Sequence, residues 1–231
     1  MCHTHSLSPR NGRHIHFTEL VSVIRKKYSL SYLLSIVLTF GGFITSGCKP
    51  KFTLKTLGFT NPIPMEWTID LGDLAKHNGI EHDGSLAHPD TPSWCDYAGV
   101  APDWPLLKRL IWGTSKEPGN NDDPNNPTSI PDGTITIHNL TLARARRDTE
   151  ISIPLSRIHT EITHGEVVFI NHALANKAGD IPIRSLYQFM IEERFPDGWT
   201  GPLRSIGLFK AAKESGKVEK EVETLRRCGI Q

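Results

Sequence analysis

Three features of the 231-residue chain predict an all-α fold with long irregular loops. Phe17, Leu20, Val21 and Ile24 recur at helical spacing, and so do Ile183, Leu186, Phe189 and Met190. Each set forms one apolar face. The run from Ala143 to Arg147 (ARARR) is built from strong helix formers. Residues 114–133 are almost entirely turn formers and mark an exposed loop between the periodic stretches. The length allows one large domain or two small ones, with a sizeable core, and no internal repeat is visible.

In chain order, the first helix is expected at the Phe17–Ile24 face. A second follows over the apolar run 30–47, which basic Arg25, Lys26 and Lys27 precede. Eighteen residues is the short limit for a membrane span, and the amphipathic helix just upstream argues instead for a buried core helix. Residues 48–65 read as a Pro- and Gly-punctuated connection, and 67–76 as a short helix. A further helix is expected over 103–112, with Pro105 near its first turn, where a missing N–H costs little. Helices are also expected over 134–152, 165–176, 183–194, 203–213 and 218–227.

Lys and Arg number 26 against 25 Asp and Glu, so net charge is +1. No global field draws the chain to nucleic acid or to an acidic surface. The four cysteines (Cys2, Cys48, Cys95, Cys228) form no C-x-x-C pair, which argues against a structural zinc site and excludes a dense disulfide framework. A Cys48–Cys95 bridge stays open. The first ten residues are polar and turn-rich, unlike a secretory signal, which would have to lie upstream. His3/His5 and His14/His16 have H-x-H spacing, but such pairs need partners elsewhere to hold a metal and read as surface residues. Asn139-Leu-Thr is a glycosylation sequon, meaningful only in a secreted chain.

The densest chemistry lies at 76–86 (KHNGIEHDGSL). Ile80 and Leu86 are its only large apolar residues, and six apart they make no helical face. Glu81, His82, Asp83 and Ser85 offer oxygen ligands to a hard cation beside a titratable imidazole. A solvated loop is the competing reading of this cluster alone.

Residues 70–88 (DLGDLAKHNGIEHDGSLAH) resemble the central LDDL-xx-HN-x-IEHD-x-SL motif of the fungal haem-thiolate peroxidases, the chloroperoxidase-like family. Other stretches fit in order. Residues 4–15 (THSLSPRNGRHI) resemble the family's opening, 143–147 its Arg-rich helix, 163–166 (THGE) its G-E helix, and 192–199 (EERFPDGW) its close. The similarity spans about residues 4–202, on both sides of the 114–133 loop, and implies one domain over 1–231. It also implies haem b, a Mg²⁺ or Mn²⁺ ion, H₂O₂ and a small organic molecule or halide as substrates, and a monomer.

Residue by residue, the resemblance makes Glu166 the acid–base group that moves a proton between the peroxide oxygens. The apolar residues after it (Val167, Val168, Phe169, Ile170) predict a dry wall against the carboxylate. A carboxylate that merely complements a helix N-terminus is the alternative. His82 takes the place of the imidazole that orients this acid. The long peroxygenases have Gly there, and Arg seven residues before the acid, where this chain has His159; the pattern leans to the chloroperoxidase-like branch, with His159 incidental. Glu81 and Ser85, with the His82 carbonyl, match the cation ligands, and Asp83 is expected to cap a following helix. The proximal side departs from the family. The axial Cys, in Pro-Cys-Pro, would lie nine residues before His5, outside this sequence, whereas Cys2 lies three before it. The expectations are a truncated sequence, a degenerate member, or Cys2 as ligand from a shifted register. A non-catalytic remnant therefore competes with a working peroxidase. A metal hydrolase using His77, Glu81, His82, Asp83 and His88 is a third reading.

Overall fold

The computed structural model describes residues 11–48, 67–99, 103–112 and 132–229. Cys2, His3, His5 and almost all of the two expected connections, 48–65 and 114–133, lie outside the described residues.

Local sequence starts and stops each element. β1 (Ile15–His16) pairs antiparallel with β2 (Thr68–Ile69), Ile15 opposite Ile69. α1 (Phe17–Lys27) follows at once, with Glu19 in its first turn and Arg25, Lys26 and Lys27 in its last, as the helix dipole favours. α2 (Tyr32–Thr45) starts at Ser31, whose Oγ accepts from the Leu34 N–H. The expected core helix is only half buried. Leu34, Ser35, Thr39, Gly42 and Phe43 face inward, whereas Leu33, Val37, Phe40 and Ile44 lie on an exposed stripe. Among the described residues no helix is long and apolar enough to cross a membrane.

Beyond β2 the expected 67–76 helix is a strand followed by a 3-10 turn, Leu71–Ala75. Thr68 and Ile69 are needed as partners of β1, and Asp70 and Asp73 cap the turn reciprocally. Phe17 stacks on Trp67, with ring centroids 5.0 Å apart, and Phe43 meets the Trp67 ring edge-on. Trp67 Nε1 donates to the Cys48 carbonyl at 2.8 Å. This small aromatic core, with buried Ile15 and Ile69, fixes the base from which the 76–99 loop leaves.

α3 (Trp104–Trp112) leads toward β3 (Thr134–Ile135), which pairs with β4 (Ile181–Pro182). The β-branched opening of the expected 134–152 helix is therefore strand, and α4 runs from Ile137 to Glu150. Thr136 caps it: its Oγ1 accepts from Asn139 N–H at 3.1 Å, and Asn139 Oδ1 accepts from Thr136 N–H at 3.0 Å. The sequon asparagine thus spends its side-chain oxygen on the cap. Thr136→Ala is expected to cost about 1 kcal/mol, read from the urea midpoint.

α5 (Arg157–Leu174) begins eight residues before the expected 165 start, because Ser156 accepts from His159 N–H and nucleates it. α6 (Ile183–Met190) is shorter than expected, and Glu193 soon takes a left-handed φ of 50°. The two expected C-terminal helices are one, α7 (Leu208–Arg227). Gly216 within it costs about 1 kcal/mol of propensity, which packing of Ala211, Val218 and Val222 offsets. The main core joins Leu107, Leu110 and Ile111 of α3 to Ile135, Leu140, Val167, Ile181 and Leu186. Residues from both sides of the 114–133 stretch therefore share it. Cys48 and Cys95 are both free thiols, so the bridge left open by the sequence is not made. Cys48 Sγ instead faces Asp73 Oδ2 at 3.9 Å.

Candidate active site

The 76–99 loop contains no helix, yet it is held at many points. His77 N–H donates to the Asp96 carbonyl and Ala98 N–H to the Ala75 carbonyl, closing the loop on itself. Asp83, expected to cap a following helix, has none to cap. Its Oδ1 accepts from Thr91 N–H at 2.9 Å and lies 3.1 Å from His77 Nε2. Two arginines of α4 hold successive carbonyls of the motif, Arg144 that of Gly84 and Arg147 that of Ser85. Asp90 completes the clamp, accepting from Gly84 N–H at 2.7 Å and from Arg147. Gly84 has a φ of +79°, and a Cβ there would lie 2.4 Å from Ile151 Cδ1. The left-handed backbone at this position is what favours glycine.

The loop and α5 enclose a cavity of about 170 Å³, lined by Glu81, His82, Ser85, His88 and Glu166 with Leu74 and Ile80 as apolar walls. Four residues singled out from sequence, 81 to 85 on the loop and 166 on the helix, thus meet in one place. Glu166 stands in the middle of α5, not at its N-terminus, so complementing the helix dipole is not its role. The apolar wall beside it is Leu74 and Ile80, not the residues that follow Glu166 in sequence. Val167 and Val168 turn into the core, while the Glu166 side chain is 26 % exposed. Its Oε1 accepts from Ser85 Oγ at 3.3 Å, and its Oε2 lies 3.8 Å from the guanidinium of fully buried Arg144. Oε2 is buried with no hydrogen-bond partner among the described residues.

His82 is buried, with Nδ1 2.8 Å from the Asp83 carbonyl. A carbonyl only accepts, so Nδ1 carries the proton, and in the neutral ring Nε2 is an acceptor. Among the described residues no hydrogen bond joins His82 to Glu166; Ser85 makes that contact. His159, read from sequence as incidental, packs its ring on His82 with centroids 5.7 Å apart. Arg144, Ser85 as donor to Glu166, and His88 are the functional neighbours that the sequence did not single out in these roles. The sequence carries no signal for the first, because the burial that singles out Arg144 is a property of the fold.

Both Glu81 oxygens are buried with no hydrogen-bond partner among the described residues. Burial pushes the Glu81 carboxyl up, while His77 and His82 pull it down more weakly. A raised value means the folded chain holds this proton more tightly than the unfolded chain. Stability from this group is present at low pH and is lost as pH rises above 4.5 through the raised value. Glu81→Gln is therefore expected to raise the urea midpoint at pH 7 in metal-free buffer. The hydrolase constellation does not converge, because His77 is paired to Asp83. Among the described residues no group of three or more His, Cys, Asp or Glu is placed to hold a metal.

His88 also borders a larger, mostly apolar cavity of about 430 Å³ with Phe189, Met190 and Phe195. The sequence from residue 3 to residue 204 matches the family described as Peroxidase, family 2. Comparison with curated proteins gave no match. With most of its length matched and a mostly helical fold carrying the motif, the chain belongs to this chloroperoxidase-like family of peroxidases.

Proposed function

We propose that the chain is a haem-thiolate peroxidase that uses H₂O₂ to oxidise small organic molecules or halide. The observation that carries this reading is the cavity in which Glu166, held by Ser85 through one oxygen, keeps its other oxygen without a hydrogen-bond partner beside Glu81, His82 and His88. Haem b, when bound, supplies the iron that activates peroxide, and a thiolate ligand supplies the electron push that favours O–O cleavage. Cys2, from a shifted register, is the one candidate donor within this sequence and lies outside the described residues; a truncated sequence or a degenerate member are the competing readings. Support for a flat aromatic group comes from the apolar lining of Phe189, Met190 and Phe195. The 430 Å³ cavity is of the size that cofactor sites have, about 300–1,000 Å³, and His88 links it to the carboxylates.

Oε2 of Glu166 is the oxygen free to accept a proton from peroxide and return it to the departing oxygen, so that water leaves. Ser85 fixes the carboxylate's rotation by occupying Oε1. Arg144, with its guanidinium 3.8 Å from Oε2, holds the carboxylate from the other side. His82 lines the same cavity and is the proposed partner for orienting Glu166 once peroxide is present.

Glu81, the Ser85 hydroxyl and the His82 carbonyl are the proposed ligands of Mg²⁺ or Mn²⁺. Support comes from the two unpartnered Glu81 oxygens and from Ser85, which donates to Glu166 and accepts from Ala87 N–H, leaving one lone pair. At tenfold excess over its Kd, the cation is expected to stabilise the wild-type chain by about 1.4 kcal/mol and Glu81→Gln hardly at all. Thermal melts with and without Mg²⁺ read this directly. Turnover of the haem-loaded chain with H₂O₂ and a phenol or halide tests the function itself. Stable haem binding with no turnover favours the non-catalytic remnant.

A further inference from the structure

On the side of α5 away from Glu166 lies a separate cleft of about 330 Å³. Val168, Asn171, His172 and Ala175 line it at i, i+3, i+4 and i+7, one stripe of the helix. At 3.6 residues per turn this stripe points opposite to Glu166. The floor mixes apolar Val168, Ala175, Ile137 and Ile206 with polar Asn171 and His172.

The rim is cationic. Lys177 sits in a turn that Asn176 Oδ1 closes by accepting the N–H groups of Ala178, Gly179 and Asp180. Arg204 comes from the approach to α7, and Lys210 from the first turn of α7, whose N-cap is Gly207 and offers no side-chain acceptor. Anions are favoured at such a helix start. Among the described residues none of the three cations has an ion-pair or hydrogen-bond partner through its side chain. One carboxylate, Glu214, lines the cleft, and both its oxygens are engaged by Lys217 Nζ at 2.8 and 2.9 Å. Asn171 Oδ1 is buried without a donor. Burial pushes the His172 imidazole down, and its Nε2 lies 2.9 Å from the Tyr28 carbonyl, so the positive charge comes from the lysines and the arginine.

We propose that this cleft binds a small amphiphilic anion, an organic phosphate or carboxylate. Its apolar body meets Ile137, Ala175 and Leu203, and its charged head meets Lys177, Arg204 and Lys210. A chain of net charge +1 gives no general reason to gather anions, so the attraction is local.

Phenyl phosphate is the first probe, titrated calorimetrically into the purified full chain at low salt, with inorganic phosphate as comparison. The expected result is a Kd at least about tenfold lower for phenyl phosphate, since a ring against Ile137 and Leu203 adds to the charge attraction. The Lys177→Ala/Lys210→Ala double variant is expected to weaken it about tenfold. Both lysines are exposed, and far-UV circular dichroism verifies that the variant folds. No measurable binding, equal affinity for inorganic phosphate, or undiminished affinity in the double variant would each overturn the proposal.

Discussion

Glu166→Gln is expected to lower H₂O₂-dependent turnover by about 10²–10⁴-fold while leaving haem bound. The amide keeps the size of the carboxyl and can still accept from Ser85 Oγ, so the 170 Å³ cavity is preserved. What it loses is the basic oxygen beside Arg144. The effect should fall on kcat, because the group acts on the proton in flight and not on substrate affinity. Steady-state rates paired with the haem absorption of the same sample separate lost chemistry from lost cofactor. Wild-type turnover in the variant would remove Glu166 from the reaction.

Arg144→Met is expected to cost about 3–5 kcal/mol of stability, measured by urea denaturation. Arg144 is completely buried and joins three elements: the Gly84 carbonyl of the loop, Asp148 one turn along α4, and Glu166 of α5. Removing the cation leaves two carboxylates and a carbonyl without their partner in a low-dielectric setting, which is the costly way to break a buried pair. Arg144→Lys keeps the charge but not the fork that reaches Gly84 and Asp148 together, so it should fall between the two. Turnover should fall with stability, since the same guanidinium anchors the loop that carries Ser85. A change within about 0.5 kcal/mol, the range of ordinary surface substitutions, would show that the clamp does not hold the site.

The fold class was legible because helical periodicity survives in α1, α6 and the Arg-rich α4. Its errors have local causes. Thr134-Ile135 and Thr68-Ile69 are strands because each finds a β-branched or apolar partner far along the chain, Ile181 and Ile15 among them, which no local window can show. The start of α5 was missed because Ser156 acts through a single cap bond ahead of a polar, β-branched first turn. α7 was split at Ser215-Gly216, where propensity favours a break and tertiary packing overrides it.

The candidate site was legible as a set of residues and not as a set of contacts. Glu81, His82, Ser85 and Glu166 do share a cavity. Which of them touches Glu166 depends on a serine hydroxyl and on an arginine that arrives from a third element, and neither follows from spacing. His159 belongs to the same case: α5 carries it beneath His82 only because the helix begins at Arg157.

The most direct measurement is the absorption spectrum of this chain with haemin, reduced and exposed to carbon monoxide. A strongly red-shifted Soret band, lost in Cys2→Ser, is the predicted result and would establish thiolate ligation by this chain. A histidine-like spectrum, or haem that does not bind, would contradict the haem-thiolate account.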